Sequence, residues 1–133
     1  ETGNAKVFDF LTGEAFEQAL AVSSCCVVSL EKGLKGMCAP SKYYSYLQAG
    51  KPVLAIVEEG TYLAREIAEN EYGCFSPIGD RSGLVQQISE LQKNPDMMKR
   101  MSVRSENLYT EKYAFPICMG KYLNLFRGLA EEE

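Results

Sequence analysis

Three short apolar runs dominate the sequence: Cys25-Cys26-Val27-Val28-Ser29-Leu30, Pro52 to Val57, and Gly73 to Ile78. Each is followed by a turn and then by a stretch with helical patterning. Runs this short cannot form helices of normal length. Their continuous apolarity suits strands of a parallel sheet, which is covered on both faces. A fourth β-prone run, Val7 to Leu11 ("VFDFL"), precedes them. Strands that alternate with helices imply right-handed crossovers between parallel neighbours. The expected order is β-α-β-α-β-α-β-α-α-α, an α/β chain with a sheet of about four strands.

The helices are bounded by capping residues. Thr12 or Gly13 begins a helix on which Phe16, Ala19 and Leu20 share a face. Ser41 is expected to cap a helix that runs from Lys42 to a C′ glycine at Gly50, with Tyr43, Tyr46 and Leu47 on one side. Thr61 caps Tyr62 to Asn70, and Asp80 or Ser82 caps Gly83 to Lys93, which carries Leu84, Ile88 and Leu91. Asn94-Pro95 interrupts the pattern. A polar helix follows from Asp96 to Lys112, and a last one runs from Pro116 to about Ala130, with Ile117, Tyr122, Leu125 and Phe126 as its apolar residues. The terminal Glu131-Glu132-Glu133 reads as a solvated tail.

At 133 residues one core and a single domain spanning 1–133 are expected. The net charge of −4, with no long basic run, argues against a nucleic-acid surface. No apolar run approaches the ~18 residues of a membrane span, and a cytoplasmic setting is expected. Five cysteines without a C-x-x-C pair read as buried free thiols. The absence of histidine removes the usual general base and the commonest metal ligand, so no metal and no cofactor are expected.

Ligands of open parallel sheets bind beyond the carboxyl ends of the strands. Here those ends carry residues 31–42, 58–62 and 76–82. The first combines Gly33, Gly36, a Pro40-Ser41-Lys42 turn and a helix start. Free N–H groups and the helix dipole favour an anion there, and Lys42 supplies a point charge. A Walker A loop and a G-x-G-x-x-G fingerprint are both absent.

The ordered set Pro40-Ser41-Lys42, Ala49-Gly50-Lys51-Pro52, Gly73, Gly79-Asp80 and Leu91 to Pro95 resembles the carboxyl-terminal half of group-1 glycosyltransferases of the GT-B fold. It is most similar to the P-S-K-x-Y-x-Y-x-x-A-G-K-P branch of bacterial sugar transferases, over about Val7 to Phe126. The resemblance implies a Rossmann-like donor domain that binds a nucleotide diphosphate-sugar, whose sugar passes to an acceptor held by a separate amino-terminal domain. It implies that amides near Cys38 to Lys42 meet the diphosphate, aided by Ser41 and Lys42, and that Gly60 and Thr61 line the same cleft.

Three departures from the pattern stand out. The family's paired acids fall at Met37 and Ser45, leaving Ser45 as the expected ribose contact and Glu31 as a candidate sugar contact. The family's basic pair and its acceptor domain have no counterpart in these residues. The implied state is a truncated GT-B donor domain, peripheral to the membrane within the full-length enzyme and inactive alone. Its open sheet edge or last helix invites a homodimer. The alternative is a non-catalytic α/β binding or assembly module that kept the fold and lost the chemistry.

Overall fold

Three of the four β-prone runs become strands. In the computed structural model, which describes residues 3–131, β1 (Cys26–Ser29), β2 (Val53–Val57) and β3 (Gly73–Pro77) pair side by side in that order, all parallel. Cys26 lies opposite Val53, and Val53 opposite Gly73. Val7 to Leu11 forms no strand, a correction to the four-strand expectation. It has no regular secondary structure, with Val7, Phe8 and Phe10 exposed by 99%, 69% and 86%. β-propensity measures fit to a pleated, half-buried surface, and this exposed run pairs with neither edge of the sheet.

Apolarity on both faces holds for β2, where four of five residues are buried, and fails for β1. Cys26 and Val28 are buried, but Val27 and Ser29 face outward. The reason is position: β1 is an edge strand, and Val27 borders an open apolar groove of about 750 Å³ with Leu54, Ile88, Leu91 and Met98.

Six helices surround the sheet: α1 (Gly13–Val22), α2 (Ser41–Gln48), α3 (Tyr62–Asn70), α4 (Arg81–Lys93), α5 (Pro95–Leu108) and α6 (Phe115–Glu131). On α1 the shared face is as expected, with Leu20 buried and Phe16 and Ala19 half-buried. On α4 only part of the expected face is covered: Leu91 is buried but Ile88 is 47% exposed, because it borders the same groove as Val27. The core is built from Tyr43 and Leu47 of α2, Val53, Ala55 and Val57 of β2, and Leu63 and Ile67 of α3.

The helix ends follow capping chemistry in part: Thr12 before α1 and Asn94 before α5 hold the N-cap positions without a side-chain capping bond. Asp80 accepts a hydrogen bond from the Gly83 amide at 2.9 Å, and Gly50 takes a positive φ of 61° just past α2. Ser41 does not cap α2. Pro40 holds the N-cap position, and Ser41 is already the first helical residue, without a capping bond. Proline's fixed φ starts the turn one residue earlier than the serine signal suggested.

Thr61 caps α3 as expected. Its hydroxyl accepts from the Ala64 amide at 3.2 Å, and the residue is 5% exposed. Thr61→Ala is therefore expected to lower the unfolding free energy by about 1–2 kcal/mol. Urea denaturation followed by circular dichroism measures this; a midpoint equal to wild type would show that the cap contributes nothing.

The expected polar helix from Asp96 to Lys112 is broken near its end. α5 stops at Leu108, and Tyr109–Tyr113 winds as a π-helical turn before α6. The apolar residues of α6 stand in solvent, with Tyr122, Leu125 and Phe126 exposed by 59%, 58% and 64%. Among the described residues no helix is long and apolar enough to cross a membrane. Of the expected acidic tail, Glu131 ends α6, while Glu132 and Glu133 lie outside the described residues.

Candidate functional site

Two loops leave the carboxyl ends of β1 and β2 and face each other across a cleft of about 450 Å³. This size lies within the range of ligand pockets. Leu34, Lys35 and Cys38 form one rim, Thr61 and Tyr62 the other, and Tyr43 and Tyr44 of α2 close the side. The rims are tied together twice. The Gly33 amide donates to the Glu58 carboxylate at 2.8 Å, and Lys35 Nζ donates to the Glu59 carbonyl at 3.2 Å. Gly33 and Gly36 both take positive φ, 88° and 78°, which lets the first loop fold back on itself.

Within that loop some amides are already used. Leu34 N–H donates to Glu31 O at 3.4 Å and Met37 N–H to Leu34 O at 3.0 Å. The Cys38, Ala39, Ser41 and Lys42 amides have no intrachain acceptor among the described residues. Those four amides flank the start of α2, where the helix dipole adds positive potential.

The structure brings only part of the expected site together. Cys38 and Thr61 line the cleft. Gly60 adjoins it through Lys35, since a Cβ built on Gly60 would meet Lys35 Nζ at 2.9 Å. Ser41, Lys42 and Glu31 are exposed and lie outside the lining. Ser45 borders a separate hollow with Glu17, Leu20 and Lys51.

A polar hub beside the cleft escaped the sequence reading. The Glu66 carboxylate on α3 is 2% exposed and accepts from Tyr62 Oη at 2.5 Å and Lys112 Nζ at 2.6 Å. Tyr43 and Tyr113 hydroxyls also donate to it, and Tyr43 contacts Tyr72 Oη at 2.7 Å. Burial alone pushes the carboxyl up. The hydrogen bonds from Lys112, Tyr113, Tyr43 and Tyr62 outweigh this and hold it below its ordinary value. Conversely, the bond to Glu66, aided by Tyr62, holds the Lys112 ammonium above its ordinary value. Burial, with Tyr72 and Glu66 nearby, drives the Tyr43 phenol far up, so it stays protonated as a donor. Tyr43 and Tyr62 belong to both hub and cleft, so the hub fixes one cleft wall.

All five cysteines are unpaired, as expected, but they are not uniformly buried. Cys26 is buried, and desolvation pushes its thiol up to about 11, as it does for Cys74. Cys38 stands exposed on the cleft rim.

One curated relative is similar to part of this chain. Over 72 residues, 54% of the chain, the sequence is 38% identical to the probable glycosyltransferase WbjE of Pseudomonas aeruginosa. The likeness is to a glycosyltransferase. The matched stretch spans 18% of the length of WbjE. No family model matches the chain, and no solved structure matches it.

Proposed function

We propose that this chain forms the part of a glycosyltransferase that holds a nucleotide diphosphate-sugar donor, with the cleft between the β1 and β2 loops as the donor site. The observation that carries the reading is the pair of unpaired amides at Cys38 and Ala39 on the rim of a 450 Å³ cleft, with those of Ser41 and Lys42 next to them in the first turn of α2. It is supported by the likeness to WbjE, a probable glycosyltransferase. That likeness favours a role in transfer over a non-catalytic assembly module.

In this reading the Cys38 and Ala39 amides and the first turn of α2 face the two phosphates. Such preorganised donors stabilise the charge that grows on a diphosphate as it departs, without reorganising during the reaction. Tyr44 and Tyr62 offer aromatic walls to the nucleoside. The acceptor site lies outside this chain, so the isolated chain binds donor and does not turn over.

UDP and GDP test the reading, by calorimetric titration and by protection of a thiol. At pH 8, iodoacetamide is expected to alkylate Cys38 well before Cys26 and Cys74, whose thiols are largely un-ionised there. A saturating nucleotide should slow the Cys38 reaction several-fold. No heat and no protection with either nucleotide would remove the donor-site assignment.

A further inference from the structure

We infer that Lys35, rather than the lysine at the start of α2, is the side chain that meets the diphosphate, and that its present contact with the Glu59 carbonyl is a resting position. This rests on the donor-site reading above. Among the described residues that line the cleft, Lys35 alone carries a positive charge. Lys42 lies outside the lining, although it stands beside the amides of the helix start.

Lys35 reaches across the cleft from one loop to the other. Its ammonium is 3.2 Å from the Glu59 carbonyl and occupies the space beside Gly60 that a Cβ would contest at 2.9 Å. Glycine at position 60 thus leaves room for the ammonium. The partner it holds there is a neutral carbonyl. A phosphate oxygen carries full charge, and a charge-assisted hydrogen bond is about twice as strong as a neutral one. A diphosphate in the cleft therefore draws Lys35 off Glu59. The need for a cation is acute here, because Glu31, Glu58 and Glu59 all belong to the same two loops. Glu58 is held away by its bond to the Gly33 amide, and Lys35 offsets the remaining negative field.

The test compares UDP with UMP by calorimetric titration of wild type, Lys35→Gln, Lys35→Arg and Lys42→Gln. Lys35 is exposed, so its variants are expected to fold normally. Wild type should prefer UDP over UMP. Lys35→Gln should lose about tenfold in UDP affinity and change little toward UMP, Lys35→Arg should restore most of the loss, and Lys42→Gln should stay within about twofold. Wild-type UDP affinity in Lys35→Gln, or an equal loss in Lys42→Gln, would overturn the assignment of Lys35 while leaving the donor site standing. If wild type binds GDP and not UDP, the same comparison is made with GDP and GMP; absence of binding by both UDP and GDP would overturn both assignments.

Discussion

Glu66→Leu is expected to lower the unfolding free energy by about 3 kcal/mol, enough to leave the chain marginal. The carboxylate accepts from Tyr43, Tyr62, Tyr113 and Lys112, and all of these are donors. Leucine fills the space but accepts nothing. The hydroxyls of Tyr43 and Tyr72 are buried where water does not reach them, so the loss of their acceptor is not made good by solvent. Glu66→Gln keeps one acceptor oxygen, and the tyrosines can reorient toward one another, so its cost should be smaller, about 1–3 kcal/mol.

The two variants also separate packing from charge through pH. The folded value of Glu66 lies below its unfolded value of about 4.3, so its contribution is complete above that pH and fades as the pH falls toward the folded value. Lys112 is shifted upward, so its contribution is complete below about 10.4 and fades as the pH rises toward its folded value. Urea midpoints measured from pH 3 to pH 11 should therefore fall at both ends for wild type and be flatter for Glu66→Gln. Equal midpoints for wild type and Glu66→Leu at pH 7 would show that the hub contributes nothing to stability.

The hub also marks the limit of what was legible in the sequence. Local signals held at Thr61 and Gly50 and failed at Ser41, where a neighbouring proline took the cap position. Thr61 reads as a cap because its partner is three residues away, and Gly50 as a C′ residue because the helix ends there. The buried strands were legible as apolar runs, and the β1 and β2 loops were placed at the sheet's carboxyl end by topology. Val7 to Leu11 shows the opposite case: its propensity is local, but a strand needs a paired edge. Glu66 joins residues from α2, α3, the start of β3 and the π-helical turn. No periodicity in a chain announces a convergence of positions 43, 62, 66, 72, 112 and 113. The cleft lining was half legible for a related reason. Lys42 and Tyr44 differ by about 200° around α2, so of the two only one can face the opposite loop. Nothing in the spacing says which.

Gly73→Ala is expected to be as damaging as the loss of Glu66, although it adds a single methyl group. Gly73 does not need glycine for its backbone angle, since it is absent from the positive-φ positions. It needs glycine for clearance. It opens β3 directly opposite Val53, and a Cβ there would lie 2.0 Å from the Val53 carbonyl oxygen and 2.9 Å from the Val53 nitrogen. Both atoms are backbone of the central strand, so no side chain can turn aside. β3 has to move away by about an ångström, which stretches the bond from Val53 N–H to Tyr72 O, already 3.3 Å long. Tyr72, fully buried and bonded to Tyr43, would be dragged with it, so strand and hub loosen together. A cost of about 3 kcal/mol or more is expected, at the upper end of overpacking penalties. Gly120→Ala and Gly128→Ala make the contrast. Both lie inside α6 with nothing within 4 Å of the added carbon, and each should stabilise by up to about 1 kcal/mol through helix propensity. Thermal melts of the three variants decide the matter. If Gly73→Ala melts with wild type, β3 does not pair against β2 as closely as the register at Val53 requires.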